Sequence, residues 1–169
     1  IRIKKIVSFI CEKFMQEQSF AKPYFGIKIP SEEIFMPRNY HNFATLESIL
    51  NKKKILVRVD GSTEIGLGHV YNMLTILNHF RKEEILVVMN ITKKMGFSKF
   101  REYLYNVKTF SSEAQLMKII RNFSPDLIIN DILDTSTEYM SKLRKFNCVI
   151  VNFEDRGKGS ALADLLFNP

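Results

Sequence analysis

The feature that most constrains the fold is a strand, a turn and a helix that follow one another between residues 52 and 77. Ile55–Val59 is a short run of apolar, largely β-branched residues, which is typical of a strand buried in a parallel sheet. Turn-forming residues follow at Asp60–Thr63, and apolar residues then recur at helical spacing across Val70–Leu77. This order predicts the first strand–helix unit of an α/β fold.

The rest of the chain continues the alternation of strands and helices. Crossover helices between strands require parallel neighbours, and such crossovers are right-handed. We therefore predict a Rossmann-like fold with a mainly parallel sheet of five or six strands, helices on both faces, and Ile55–Val59 near the centre. The predicted strands are Ile55–Val59, Ile85–Met89, Val107–Phe110, Leu127–Asn130 and Val149–Asn152, and the predicted helices are Gly68–Arg81, Phe97–Tyr105, Ser112–Phe123 and Thr135–Phe146.

The first 53 residues differ from this pattern and predict a separate N-terminal segment before a Rossmann-like domain at 54–169. Three prolines oppose a long helix in its middle part. Its predicted elements are a helix at Ile3–Phe14, an extended connector from Ala21 to Tyr40 with a candidate edge strand at Ile27–Ile29, and a brief helix at Asn42–Leu50. If the apolar face of this segment is not covered within the chain, we expect a homodimer through it.

Composition narrows the class of protein. Hydrophobic residues make up 46% and charged residues 25%, as in globular domains. The net charge of +7 fits either an anionic partner or a lysine-rich surface. Nucleic-acid binding is disfavoured because no motif combines aromatic and basic residues. No apolar run approaches eighteen residues, so we expect no membrane span.

Cysteine usage and the first residue give two further expectations. Cys11 and Cys148 lie far apart without a C-x-x-C motif, which favours free thiols and a cytoplasmic location. The chain begins with Ile1, which suggests a piece of a longer protein.

His69 is the leading candidate for chemistry. It follows Gly66-Leu67-Gly68 at the predicted turn between strand and helix, where open α/β folds bind ligands. Such a turn can direct backbone N–H groups and the positive helix end towards an anion. A lone histidine is often structural, but imidazole titrates near neutral pH and suits a general base. His41 and His79 are not expected to act.

Carboxylates follow three of the predicted strands. Asp60 can cap its own turn, bind a sugar hydroxyl or orient His69. Asp131 and Asp134 follow the Leu127–Asn130 strand at the same sheet edge, and we expect Asp134 to cap the next helix. Glu154 follows the strand after that one. A carboxylate partner, Asp60 or Asp131, is expected to fix the tautomer of His69.

Several familiar sites are absent from the sequence. A dinucleotide-binding G-x-G-x-x-G would need glycine where Tyr71 stands, and no G-x-x-x-x-G-K-[ST] loop occurs. The three histidines do not have metal-ligand spacing. We therefore predict neither a bound metal nor a cofactor.

Two stretches resemble a known family of enzymes. The run R-x-D-x(4)-I-G-x-G-H-V, followed by an apolar helix, resembles the start of the UDP-sugar hydrolases of pseudaminic acid biosynthesis. These enzymes have the GT-B fold and are similar to the N-acetylglucosaminyltransferase of peptidoglycan synthesis. The end of the chain resembles the close of their N-terminal domain. The matching residues are Arg58, Asp60, Ile65, Gly66, Gly68, His69 and Val70 in the first stretch, and Val149–Val151, Asp155–Arg156 and Ala163–Asn168 in the second.

The resemblance implies a function. The chain would be the N-terminal half of a hydrolase that releases UDP from a UDP-diacetamido-trideoxy-hexose, with the C-terminal half supplying most of the nucleotide-binding surface. His69 would activate water, assisted by Asp60, and the chain alone would be inactive. The substrate would contact Gly66, Gly68, Asn72 and Asp131.

The sequence also departs from this family and leaves alternatives. Asn72 stands where the family usually has arginine, and Asn152-Phe153 stands where it usually has two aspartates. A glycosyltransferase of the same fold and a non-catalytic assembly domain are the alternatives. Residues 42–54 faintly resemble the tail of cytidylyltransferases that activate nonulosonic acids, which would make the parent a fusion protein.

Overall fold

The computed structural model describes residues 26–27, 54–78, 80 and 84–168, and these residues form one seven-stranded sheet with helices on both faces. The strands are β1 (Gly26–Ile27), β2 (Ile55–Val59), β3 (Ile85–Asn90), β4 (Asn106–Phe110), β5 (Leu127–Asp131), β6 (Val149–Phe153) and β7 (Leu165–Asn168). The helices are α1 (Gly68–Leu77), α2 (Phe97–Glu102), α3 (Glu113–Phe123) and α4 (Thr137–Leu143), with short 3₁₀ turns at Ile91–Lys93 and Lys158–Leu162.

The sheet order is β1-β7-β6-β5-β2-β3-β4, in which β2 to β7 are parallel and β1 pairs antiparallel with β7 at the edge. The prediction of a Rossmann-like α/β fold is confirmed, and β2 lies inside the sheet between β3 and β5. The strand β7 was not predicted from the sequence. Ile27, which belongs to the candidate edge strand, lies in the two-residue β1. The other elements predicted before residue 54 lie outside the described residues, and so do the predicted domain boundary and His41.

The alternation of side chains along each strand builds two cores. Along β2, Ile55, Val57 and Val59 face α1 and α2, whereas Leu56 faces α3 and α4. Both faces are covered, which explains why the central strands read as almost continuous apolar runs. Arg58 is the polar exception in β2, and its side chain lies on the α3/α4 face against Phe110 and Tyr139.

The connections place a switch point next to β2. The chain leaves β2 for β3 on one side, whereas β5, on the other side, is reached only later in the chain. At such a point the two outgoing connections diverge and leave a crevice at the carboxyl ends of the strands. Asp60 directly follows β2 and Asp131 ends β5, so both residues stand at this crevice.

Serines cap two of the helices, and one of these caps corrects a prediction. Ser112 caps α3 by accepting a hydrogen bond from the N–H of Gln115. The predicted cap at Asp134 is wrong, because Ser136 caps α4 by accepting from the N–H of Tyr139. A serine directly before the first helical residue reaches the free N–H groups, whereas Asp134 lies too early in the chain.

Across the described ranges, no helix combines the length and the apolar character needed to cross a membrane.

Candidate functional site

His69 is the second residue of α1 and is held at the carboxyl edge of the sheet. Its Nδ1 lies 2.7 Å from Oδ1 of Asp131, and the histidine is only 7% exposed. Because Asp131 ends β5 and His69 follows the turn after β2, the pair joins two neighbouring strands at the switch point. Nδ1 is engaged by the carboxylate, so Nε2 is the ring nitrogen available to a substrate.

The turn before His69 depends on Gly66. This residue has a φ of 72°, a left-handed conformation that glycine adopts without a steric cost. Its N–H donates to the carbonyl oxygen of Ser62 at 2.8 Å. The N–H of Gly66 therefore closes the turn. Gly68 differs because its φ is not positive; a Cβ added at either glycine would meet nothing within 4 Å.

Asp131 is almost completely buried and only half satisfied. It is 1% exposed, and among the described residues its Oδ2 has no hydrogen-bond partner. Burial raises the pKa of Asp131 to about 6, and the hydrogen bond to His69 opposes this rise. In turn, that hydrogen bond raises the pKa of His69 above its ordinary value, although burial acts in the opposite direction. The hydrogen bond thus couples the protonation of the two groups.

Glu154 adds a second carboxylate that was not assigned to the site from the sequence. Its Oε2 lies 3.9 Å from Nδ1 of His69, and its side chain is 40% exposed. The backbone of Glu154 has a φ of 50°, unusual for a residue with a side chain, and its N–H donates to the carbonyl of Phe167 at 2.7 Å. The register of β5 and β6, which pairs Asp131 with Phe153, is the signal that could have located Glu154 beside Asp131.

Asn72 lies one helical turn beyond His69 and faces the carboxylate of Glu154. Its Nδ2 lies 3.5 Å from Oε1 of Glu154, at the limit of a hydrogen bond. The predicted substrate residue Asn72 therefore does belong to the cluster around His69.

Asp60 is buried near this cluster but does not hold the histidine. Its Oδ1 accepts a hydrogen bond from the N–H of Asn90 at 3.3 Å, and its Oδ2 lies 3.9 Å from a terminal nitrogen of Arg58. The negative charge of Asp60 contributes only the smallest of the effects that raise the pKa of His69. Of the two carboxylates considered as partners of His69, Asp131 is the one that contacts it.

A second polar cluster lies on the opposite face of the sheet. Asn130 and Asn152 are paired in register on β5 and β6, and the amide of Asn130 donates to that of Asn152 at 2.8 Å. Asn152 donates in turn to Asp155 at 2.6 Å, and the hydroxyl of Tyr139 donates to Asn130 at 2.8 Å. The sequence signal was an asparagine at the same place in two apolar strands. We call Asn130, Tyr139, Asn152, Asp155 and Thr135 the asparagine network.

Within the described part of the chain, no group of three histidine, cysteine, aspartate or glutamate side chains is arranged to hold a metal ion.

The fold and the pair of His69 and Asp131 define an α/β protein of Rossmann-like type with a polar site at the carboxyl edge of its sheet. No family model matches the chain. It is 30% identical over 118 residues to an uncharacterized protein of Methanocaldococcus jannaschii, a match that covers 68% of this chain and 24% of the archaeal protein. The chain thus spans about a quarter of the length of that relative.

Proposed function

We propose that this chain is the N-terminal half of a nucleotide-sugar hydrolase that releases UDP from a UDP-diacetamido-trideoxy-hexose. The observation that carries the proposal is the 2.7 Å contact between His69 Nδ1 and Asp131 Oδ1, directly after the Gly66 turn at the switch point. The resemblance of residues 58–70 to the UDP-sugar hydrolases of pseudaminic acid biosynthesis supplies the substrate class.

In the proposed reaction His69 is the general base. Water attacks the anomeric carbon, Nε2 of His69 takes a proton from that water, and the bond between the anomeric carbon and the phosphate oxygen breaks. UDP leaves with the bonding electrons, so the products are the free sugar and UDP. Asp131 keeps Nδ1 protonated and stabilises the imidazolium that forms.

The surroundings of the pair fit this role. Glu154 is partly exposed and can accept a hydrogen bond from a sugar hydroxyl or from the attacking water. Helix α1 has no side-chain hydrogen bond at its N-cap, Leu67, and no acidic residue in its own first turn, so its first N–H groups can still face a negatively charged leaving group. The nucleotide itself would be held by a C-terminal half beyond this chain.

The test is UDP release by the full-length parent from a panel of UDP-diacetamido sugars. We expect His69→Asn to lower kcat by ~10²–10⁴, the usual contribution of a general base, while the affinity for UDP stays nearly unchanged. His79→Asn, ten residues further along, is the matched control and should retain wild-type turnover.

Three results would contradict the proposal. Wild-type turnover by His69→Asn would remove this residue from the mechanism. Sugar transfer to an acceptor without release of free sugar would identify a glycosyltransferase, and binding without any turnover by the wild-type parent would favour an assembly domain.

A further inference from the structure

A cavity lies on the face of the sheet opposite to His69. Its volume is about 260 Å³, below the ~300–1,000 Å³ of pockets for drug-sized ligands. None of its lining residues belongs to the cluster of His69, Asp131 and Glu154. The lining includes Arg58, Asn90, Phe110, Ser111, Ser136 and Tyr139.

Arg58 gives the cavity its charge. The guanidinium carbon lies 4.4 Å from the ring centre of Tyr139 and 5.5 Å from that of Phe110. The side chain is 16% exposed, and its nearest carboxylate oxygen, on Asp60, is 3.9 Å away. Among the described residues, the buried Nε of Arg58 has no hydrogen-bond partner. A buried cation that is incompletely paired is costly, and an anion in the cavity would reduce this cost.

The remaining polar groups favour a small ligand that carries hydroxyls. Two carboxylates line the cavity, but Glu113 is paired with Lys142 and Asp134 is exposed. Ser111 and Ser136 are exposed at the lining. The hydroxyl of Ser111 donates to Gln115 and can still accept from a ligand, whereas that of Ser136 accepts from the N–H of Tyr139 and can still donate to one. The ring of Phe110 offers an apolar surface beside them.

We propose that this cavity binds the carboxylate or phosphate group of a small hydroxylated molecule, with Arg58 as the counter-charge. A guanidinium presents its N–H groups as a planar fork that matches either oxyanion. The site is separate from the one around His69, and its occupancy does not depend on the proposed hydrolysis.

The experiment is an NMR titration of the 169-residue chain with four probes: inorganic phosphate, acetate, glucose 6-phosphate and glucose. We expect saturable amide shifts at the cavity residues with the anions, tighter binding of glucose 6-phosphate than of phosphate, and weaker binding of glucose. Of phosphate and acetate, the anion that binds more tightly identifies the preferred oxyanion.

Two pairs of variants assign the effect to the cavity. Arg58→Gln should weaken binding by about tenfold or more, because hydrogen bonds to a charged group are lost, whereas the exposed Arg121→Gln on α3 should bind like the wild type. If Arg58→Gln does not fold, Ser111→Glu tests the same site by placing a negative charge at its exposed lining. Ala114→Glu, also exposed and three residues further on in the first turn of α3, is its control.

Three outcomes would overturn the proposal. They are the absence of saturable shifts with every anion, unchanged affinity in folded Arg58→Gln or in Ser111→Glu, and binding of glucose as tight as that of glucose 6-phosphate.

Discussion

Asn130 and Asp131 are neighbours in β5, yet they enter two very different polar clusters on opposite faces of the sheet. Asn130 joins the asparagine network, whose hydrogen bonds between strands and loops are 2.6–2.9 Å long. Asp131 contacts His69 through one oxygen, and its other oxygen is buried without a partner among the described residues.

The difference separates two uses of buried polar groups. The asparagine network ties the loop after β5 to the loop after β6, because Asp155 accepts from both the N–H and the hydroxyl of Thr135. Such a satisfied network contributes to stability and fixes one arrangement of the loops. The pair of His69 and Asp131 instead keeps an incompletely satisfied carboxylate whose pKa is raised by burial. That is a cost in stability of the kind found at functional sites.

The largest expected effect is on the asparagine network. Asp155→Ala should lower the free energy of unfolding by about 3–5 kcal/mol, because it leaves the buried donors of Thr135 and Asn152 without their acceptor. Chemical denaturation measures this. Asp134→Ala, an exposed carboxylate on the neighbouring loop, is the control and should change stability by less than ~0.5 kcal/mol. Equal effects of the two changes would mean that the network does not stabilise the fold.

A second prediction concerns pH and the cluster around His69. The raised pKa of Asp131 means that the folded state binds the proton of this carboxyl group more tightly than the unfolded state does. The resulting contribution to the free energy of unfolding is present below the ordinary pKa of 3.8 and is lost as the pH rises through about 6. The raised pKa of His69 acts in the same direction, with stability present below 6.5 and lost as the pH rises through the higher folded value.

The stability of the wild type relative to Asp131→Asn should therefore fall by at least ~1 kcal/mol as the pH rises from ~4 through about 6, since one pKa unit corresponds to ~1.4 kcal/mol. Denaturant titrations at several pH values measure the difference, and the exposed Asp134→Asn is the control. A difference in the free energy of unfolding that stays constant or rises with pH would contradict the raised pKa values assigned to Asp131 and His69.

The smallest expected effect is at Glu154, where the backbone conformation and the charge can be separated. Glu154→Gly should raise the free energy of unfolding by ~0.5 kcal/mol, because glycine accepts a positive φ more readily. It should also lower the pKa of His69, since the negative charge of Glu154 is one of the causes that raise it. Ser124→Gly, at the end of α3 with the same φ of 50°, should give the stability gain alone.

NMR titration of the His69 ring distinguishes these two variants. An unchanged pKa of His69 in Glu154→Gly would show that this carboxylate does not act on the histidine.

The sequence predicted the fold better than it predicted the partners within each cluster. Apolar strands alternating with amphipathic helices define a parallel sheet, and the turn residues around Gly66 located the edge where His69 lies. Which carboxylate reaches His69 depends on the order of the strands. Asp131 is 62 residues away in the chain and meets His69 because β5 lies next to β2. The alternation of apolar and polar residues along a single strand does not reveal the order of strands in the sheet. The sequence therefore could not distinguish Asp60 from Asp131 as the partner of His69.

The asparagine network was missed for a related reason. Asn130 and Asn152 each end a predicted apolar strand, and each alone predicts a turn rather than a partner. Only the register of β5 and β6 brings them opposite each other. Asp134 was assigned as a cap from its residue type, although Ser136 occupies the position from which a side chain reaches the helix N–H groups.

The antiparallel pairing of β1 with β7 has a consequence for how the chain can be shortened. Gly26 and Ile27 lie opposite Asn168 and Phe167, so backbone from the N-terminal part of the chain covers the outer side of the last parallel strand. Without that cover, β7 would present unpaired N–H and C=O groups to other molecules, the arrangement that promotes edge-to-edge association of sheets. A truncated protein that begins at residue 54 would keep the two cores and the residues around His69, and it would gain a sheet edge open to self-association.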